Sequence, residues 1–409
     1  MKTTTKFKIL GLLKGGYFYL PIFTLYATDH GITMSVVVFS QAFYSVSQFL
    51  FEVPTGVLAD RFGQKTSVLI GYTLEALGIL TVVLWPTTLG LYACYAIGGL
   101  AASFLSGSEE VILFEACKKE KTKYAQVYGA FLSNITFGMM LSALLGGFAF
   151  ALFDRAAFVP LLVATTLALL LAAILATTFK MPAKAFKPGS KEAKLAAESG
   201  GSVAILKKSL ALMREDDTLW HLMIVGALTL TGDYFLYSVY QPAFLAVLVP
   251  AIWFGAALSI GSVVNMILIR YVYVFERYLT LDKIILFVNL FIALGYLGMS
   301  STGSPFLMLV AFIAAQSLFG LETPVVSDYI NERTTPDVRS TVLSGISFTN
   351  RFVNVFLRAG LALVVGLAGI KLGLFAQGCY LFVGVLFGYY LLVKCGCIHR
   401  ITMHDGKAV

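Results

Sequence analysis

Amide, hydroxyl and carboxylate side chains recur at helical spacing inside stretches that are otherwise apolar. One stripe has four members at steps of four, three and four residues: Gln41, Ser45, Gln48 and Glu52. A second has three members at steps of four: Asp233, Tyr237 and Gln241. A charge at the centre of a bilayer costs about 2.5–3.5 kcal/mol on insertion scales, so such groups face a protein interior, a partner or water. These stripes therefore predict an internal aqueous cavity.

Carboxylates in a partly dry cavity can take up and release protons near neutral pH. Four are candidates for proton coupling: Asp233, Glu109, Glu110 and Glu322. The alternative for each is a structural ion pair. For Glu322, a pair with Arg351 or Arg358 is the favoured interpretation.

Ten side chains are predicted to line the cavity and contact a small-molecule substrate. They are Lys14, Tyr17, Gln41, Gln48, Tyr237, Gln241, Asn350, Arg351, Asn354 and Arg358. Lys14 could equally neutralise a carboxylate or attract an anionic group of the substrate. No cofactor and no metal site are predicted, because the tail residues Cys395, Cys397, His399 and His404 do not have the spacing of a zinc site.

The composition requires that these residues be positioned by membrane helices. Of the 409 residues, 58% are hydrophobic and 13% charged, whereas soluble domains have roughly 45–50% and 25%. A bilayer span needs about 20 mainly apolar residues. Twelve such spans can be drawn, near 9–28, 34–59, 67–86, 88–116, 124–152, 155–179, 218–248, 250–275, 283–300, 305–330, 339–370 and 372–395. The predicted fold class is an all-α membrane protein.

The basic residues predict the orientation. Most of the 30 Lys and Arg residues fall in segments on the same side as the N-terminus, which places both termini in the cytoplasm by the positive-inside rule. The predicted location is a bacterial inner membrane. The net charge of +8 is then a topology signal and an attraction to anionic lipid, and no nucleic-acid partner is expected.

The chain divides into two halves that resemble each other. Residues 180–217 are rich in Pro, Gly, Ser and Lys and predict a linker, in which 203–213 could form an amphipathic helix. The predicted parts are a six-helix bundle at 1–179, this linker, a second bundle at 218–395 and a tail at 396–409. Gly107 and Glu109 recur at one fixed offset as Gly320 and Glu322. Two pseudo-symmetric bundles with a site between them are typical of alternating-access transporters.

A charged segment between the second and third spans, residues 56–65, reads G-V-L-A-D-R-F-G-Q-K. It resembles the loop G-x-L-A-D-R-x-G-R-K of the major facilitator superfamily, with Gln64 in place of a basic residue. The resemblance implies that this loop and its degraded copy in the second half form a cytoplasmic gate. The gate residues are Gly56, Asp60, Arg61, Gly63 and Lys65, with Glu276 and Arg277 in the copy.

The resemblance also implies a function. Residues 138–147 are similar to the antiporter motif of drug exporters, with Ser142 and Ala143 replacing Gly and Pro, so close packing is expected without the kink. Segments 106–110 and 328–344 resemble a bacterial permease branch that consists mostly of efflux proteins. The expected protein is a monomeric secondary transporter, not an enzyme, that exports a small organic or drug-like solute in exchange for H⁺.

Two alternatives remain open at this point. Lys14, Arg351 and Arg358 beside the acids favour a transporter of a zwitterionic or anionic metabolite or a metal chelator, in either direction. A membrane receptor or enzyme without transport is the alternative from another class. The histidines outside the tail, His30 and His221, lie near the predicted ends of spans and suggest no catalytic cluster.

Overall fold

A computed structural model describes residues 2–179, 217–229, 233–333 and 336–394, together with residues 211, 213 and 214. The described part of the first half is helical: α1 (Thr3–Lys14), α2 (Phe23–Asp29), α3 (Met34–Phe62), α4 (Gln64–Leu84), α5 (Thr88–Leu105), α6 (Ser108–Glu120), α7 (Tyr124–Phe153) and α8 (Phe158–Thr177). A 3₁₀ turn, Asp154–Ala157, joins the last two.

The second half repeats this order. Its helices are α9 (Asp217–Thr229), α10 (Asp233–Ala246), α11 (Ile252–Arg270), α12 (Val272–Tyr278), α13 (Leu281–Ser301), α14 (Pro305–Leu318), α15 (Glu322–Arg333) and α16 (Pro336–Lys394). Gly369, at φ +82°, divides α16 into two helices. Seven described segments are long and apolar enough to cross a membrane, and three of them, 88–120, 126–177 and 345–394, each contain two helices.

Grouped along the chain, these helices make twelve spans in two bundles, as predicted. Spans 1 to 6 are α1 with α2, α3, α4, α5 with α6, α7, and α8. Spans 7 to 12 are α9 with α10, α11 with α12, α13, α14 with α15, and the two parts of α16. The predicted domain limits, the linker helix and the tail fall largely outside the described residues and stay predictions.

Several spans are interrupted, which the apolar pattern did not reveal. Span 1 was predicted as one helix over 9–28, but turns at 15–22 separate α1 from α2. A Cβ on Gly15 would collide with the Ile135 carbonyl, so the backbone packs there against span 5. Spans 4 and 10 break at Gly107 and Gly320, both at φ +73°. Irregular backbone is tolerated at membrane depth where it is enclosed by protein or lines a cavity.

The predicted loop at 56–65 is shorter than expected. The helix α3 continues to Phe62 and α4 begins at Gln64, so Gly63 alone connects them. Its φ of +93° is a conformation that favours glycine, and its N–H donates to the Ala59 carbonyl over 2.9 Å. Gly56 lies inside α3, where a Cβ would meet no atom within 4 Å, so no described residue packs closely on it in this conformation.

Contacts at the ends of the spans define the two faces of the molecule. Thr4 Oγ1 donates to Glu120 Oε2 over 2.5 Å, and Lys6 Nζ donates to the Thr178 carbonyl over 2.7 Å. The start of span 1 and the ends of spans 4 and 6 therefore lie together, and Gly63 belongs to the same side by alternation of the spans. We call this the near face and its opposite the far face.

The bundles meet closely between spans 5 and 8 in the half toward the far face. A Cβ on Gly147 would lie 2.6 Å from the Gly255 nitrogen, and Ser259 Oγ donates to the Met140 carbonyl over 2.8 Å. The close packing predicted for 138–147 is therefore present, and α7 runs through that segment without interruption.

Spans 2 and 11 form a second line of contact along their length. Ser35 packs 3.1 Å from the position of a Cβ on Gly366 near the far face. Toward the near face, Arg351 forms an ion pair with Glu52. Phe49 and Phe348 pack edge to face in the same region, with ring centroids 5.4 Å apart.

Candidate functional site

A cavity of about 430 Å³ lies between the two bundles. Tyrosines from both halves form much of its wall: Tyr17, Tyr19, Tyr44, Tyr95 and Tyr237. Its polar lining includes Glu75 from the first bundle and Ser238 and Arg358 from the second. The interrupted part of span 1 supplies Tyr17 and Tyr19, so the break places backbone and rings at the cavity.

A smaller cavity of about 230 Å³ shares two residues, Tyr44 and Arg358, with the first. It is lined mainly by polar groups of spans 2 and 11, namely Ser45, Gln48, Ser347, Asn350, Arg351 and Asn354. Three members of the first polar stripe, Gln41, Ser45 and Gln48, and one member of the second, Tyr237, thus lie at two adjoining chambers.

The structure places eight of the ten predicted substrate contacts at these chambers. Tyr17, Gln41, Tyr237 and Arg358 line the larger cavity, and Gln48, Asn350, Arg351, Asn354 and again Arg358 line the smaller one. Their role in binding stays a prediction.

The other two predicted contacts, Lys14 and Gln241, line neither cavity. Gln241 is fully buried and bridges the bundles near the far face, where its Oε1 accepts from the Thr24 and Leu25 nitrogens at 2.9 and 3.2 Å. Its Nε2 donates to the Leu20 carbonyl over 2.8 Å. Gln241 therefore satisfies the backbone at the start of α2 and closes the cavity on that side.

Lys14 forms an ion pair with Glu109, with Nζ 2.6 Å from Oε2. The other carboxylate oxygen, Oε1, accepts a hydrogen bond from the Tyr72 hydroxyl. Glu109 is buried, and Lys14 is the last residue of α1. Of the two interpretations of Lys14, the structure favours neutralisation of a carboxylate.

Glu322 is equally buried but has neutral partners. Thr229 Oγ1 donates to its Oε1 over 3.2 Å, and Asn289 Nδ2 donates to its Oε2 over 2.5 Å. The favoured ion pair with Arg351 or Arg358 was wrong, because both bases point to the first bundle. Arg351 pairs with Glu52.

Arg358 is buried against span 2. Its Nη1 donates to the Gln41 carbonyl over 2.7 Å and to Ser45 Oγ over 3.1 Å. The Gln41 side chain in turn donates to Ser238 Oγ of span 7. This group of contacts joins spans 2, 7 and 11 beside the larger cavity.

The remaining candidates for proton coupling and gating stay predictions. Glu110 lies half-buried next to Glu109 on α6. The side chains of Asp233, Asp60 and Glu276 lie outside the described residues. Arg61 is exposed and lies over the Phe62 ring at 5.4 Å, and Lys65 and Arg277 lie on the first turn of α4 and the last turn of α12.

Sequence reasoning missed Glu75. This residue lies midway along α4, lines the larger cavity and accepts a hydrogen bond of 2.5 Å from the Tyr17 hydroxyl. It belongs to no stripe of polar residues at helical spacing, so that pattern did not indicate it. A single carboxylate in the middle of an apolar 21-residue helix is costly in a membrane, and that signal alone could have found it.

Known membrane proteins share the sequence pattern of this chain. The sequence profile described as Major Facilitator Superfamily matches residues 14–357. The chain belongs to this superfamily. It is a multi-pass membrane protein of that superfamily, in agreement with the spans that the structure describes.

Relatives and solved structures support the family and the fold. An uncharacterized transporter of Buchnera aphidicola (subsp. Schizaphis graminum) is 30% identical over 29% of this chain and 31% of its own length. An uncharacterized MFS-type transporter of Methanocaldococcus jannaschii is 26% identical over 32% of this chain and 33% of its own. The matches thus span about a third of these relatives.

Three solved structures have the same fold. The nucleoside transporter NupG superposes with a TM-score of 0.74 at 15% identity, covering 96% of this chain and 99% of that one. A POT family transporter in complex with a thioalcohol-conjugated peptide gives 0.72 at 13%, covering 96% of each. A D-xylose-proton symporter gives 0.68 at 15%, covering 96% and 98%.

Proposed function

We propose that this chain is a proton-coupled secondary transporter that binds a small organic solute in the cavity between its bundles. The observation that carries the proposal is that both bundles contribute walls to one chamber of about 430 Å³. Volumes of 300–1,000 Å³ are typical of small-molecule sites. Because each bundle holds one side of the solute, rocking of the bundles exposes the site to one face at a time.

The closed side of this chamber is the far face. Gln241 joins spans 1 and 7 there, and Gly147 packs on Gly255 between spans 5 and 8. With the termini in the cytoplasm of a bacterium, the far face is the periplasmic side, and this conformation is closed toward it. Opening of the far side separates the glycine contact, and the ion pair of Glu52 with Arg351 holds spans 2 and 11 together nearer the cytoplasm.

Glu322 is the proposed proton site. When the carboxyl binds a proton it loses no ion pair, because the donors that the structure gives it, Thr229 and Asn289, are neutral. These donors belong to spans 7 and 9, so a change in the charge of Glu322 alters the contacts that tie span 10 to the rest of its bundle. Protonation is thereby linked to movement of the part of span 10 that follows the break at Gly320.

We propose that the protein is a monomer and that it exports its solute. The resemblance of 138–147 to the antiporter motif supports it, together with the tight glycine packing of that segment. A gate at Asp60, Arg61, Glu276 and Arg277 on the cytoplasmic side belongs to the same proposal.

The test uses the full-length chain in liposomes that enclose a pH-sensitive dye. A panel of amino acids, small peptides, nucleosides, sugars and organic cations is added one at a time, and proton movement across the membrane is recorded. The proposal predicts movement with at least one class of solute, abolished when the pH gradient is collapsed. Empty liposomes are the control. Absence of solute-dependent proton movement across the panel overturns the proposal.

A further inference from the structure

The larger cavity contains one acid and one base among its described lining residues, and they belong to different bundles. Glu75 lies on α4, and Arg358 lies on the first part of α16. The Glu75 carboxylate accepts a hydrogen bond from Tyr17 and makes no ion pair with any residue that the structure describes. The Glu75 carboxyl group therefore faces the solute site without a bound cation from the described residues.

Tyrosine rings surround this carboxylate. Tyr17, which bonds to Glu75, packs edge to face with Tyr19 at a centroid distance of 6.1 Å. Tyr44 and Tyr95 lie in the same wall. The faces of aromatic rings attract organic cations, and a carboxylate adds the opposite charge. This combination suits an ammonium group better than a hydroxyl or a carboxylate.

Arg358, which the second bundle contributes to the cavity, has a different preference. It is 4% exposed and is held by the Gln41 carbonyl and the Ser45 hydroxyl. A guanidinium is well suited to recognise a carboxylate because of its fixed fork of donors. Charges interact strongly in a chamber of low dielectric constant, so a simple cation would be repelled by Arg358 and a simple anion by Glu75.

We propose that the substrate is a zwitterion, with its ammonium group at Glu75 among the tyrosines and its carboxylate toward Arg358. The volume of about 430 Å³ and the ring-lined wall suit an apolar or aromatic body of amino-acid to dipeptide size. The inference rests on the proposed function for the location of the site. It adds the charge pattern of the solute and assigns Glu75 as a binding residue.

Binding at equilibrium, without any gradient, tests this. The purified full-length chain is titrated with phenylalanine and glycyl-phenylalanine, each compared with its methyl ester, which is a cation, and its N-acetyl form, which is an anion. The thermal midpoint and the heat of binding are measured. Both zwitterions should bind, and each blocked form should bind about tenfold more weakly or worse, because it lacks one of the two charged groups that the cavity is proposed to recognise.

Substitutions assign the two ends. Glu75→Gln should weaken binding of the zwitterions about tenfold and leave binding of the N-acetyl forms unchanged or stronger. Arg358→Gln should leave binding of the methyl esters unchanged. Glu75→Asp keeps the charge and should retain most of the binding. Asp29→Asn is the matched control, because it removes an acid whose partner is the exposed Arg155, away from the cavity.

Three results would overturn the inference: no zwitterion binds, a neutral or singly charged compound binds more tightly than every zwitterion, or Glu75→Gln binds zwitterions like the natural chain. Its failure is distinct from failure of the proposed function. Proton-driven flux of a neutral solute keeps the transport proposal and removes the zwitterion, and binding of zwitterions without flux does the reverse.

Discussion

Two buried carboxylates occupy corresponding places in the two bundles and differ in their partners. Glu109 and Glu322 each lie in the first turn of the second helix of a broken span, after a glycine at φ +73°. Each receives a hydrogen bond from the first helix of its bundle, from Lys14 at the end of α1 in one bundle and from Thr229, the last described residue of α9, in the other. The backbone is repeated, and the charge of the partner is not.

The two carboxylates therefore share a backbone arrangement but differ in the role that we assign to them. The ion pair of Lys14 with Glu109 joins two opposite charges and stabilises the contact of spans 1 and 4. Removal of one member of a buried pair leaves an uncompensated charge, which costs stability. Glu322 has only neutral donors among the described residues and can change its charge at lower cost.

The largest effect is expected when the second site is given the charge of the first. Thr229→Lys places an amine beside Glu322, which should hold the carboxylate ionised and abolish transport driven by a pH gradient. Thr229→Met is the control of similar length without charge. Exchange of solute at equal pH reports whether the variant folds. If Thr229→Lys exchanges solute and still couples it to protons, the comparison fails.

Removing the positive charge from the first site should lower the stability of the protein. Lys14→Ala leaves Glu109 buried without its cation and should lower the free energy of unfolding by about 3 kcal/mol. Adding Glu109→Gln to it should recover much of that loss, since the unpaired charge is gone. Denaturant unfolding in detergent at pH 7 measures all three proteins. A double variant no more stable than Lys14→Ala alone would show that the charge pair is not the cause.

The second donors give a smaller contrast. Tyr72→Phe removes the hydroxyl that donates to Glu109, and Asn289→Leu removes the amide that donates to Glu322. Each should reduce stability by about 1–3 kcal/mol at pH 7. The loss for Asn289→Leu should shrink at low pH, where a protonated Glu322 needs fewer donors. The loss for Tyr72→Phe should change less, because Glu109 also has Lys14 as a partner. Equal pH dependence of the two variants would contradict this.

The smallest effect is expected at the glycine breaks that the two bundles share. Gly107→Ala and Gly320→Ala each force a side chain into φ +73°, and a Cβ would meet no atom within 4 Å at either position. The cost is therefore conformational alone, about 1 kcal/mol at each site. Gly129→Ala, which has equal space and lies within α7, is the control and should not destabilise. Markedly unequal losses at Gly107 and Gly320 would show that the two breaks are not equivalent.

Much of this architecture could be predicted from the sequence. Apolar runs gave twelve spans, and the recurrence of Gly107 and Glu109 as Gly320 and Glu322 indicated the repeat on which the comparison rests. Helical spacing of Gln41 and Gln48 correctly indicated residues at an internal chamber. These signals are local, because they depend on the period of a helix and on the cost of polar groups in lipid.

The pairing of charges could not be predicted in the same way. Lys14, Glu109 and Glu322 were all recognised, but their partners depend on how spans far apart in sequence rotate against each other. In the structure Lys14 neutralises Glu109, and Glu322 has no arginine partner among the described residues. The break in span 1 was hidden because an enclosed, interrupted helix is as apolar as a continuous one.

The most direct test of the account compares Glu322→Gln with Glu109→Gln in liposomes, with solute flux measured once under a pH gradient and once as exchange at equal pH. The account predicts that Glu322→Gln exchanges solute but no longer responds to the gradient. It predicts that Glu109→Gln, where it folds, still responds. Gradient-driven flux that survives in Glu322→Gln and vanishes in Glu109→Gln would contradict the assignment of the proton to the second bundle.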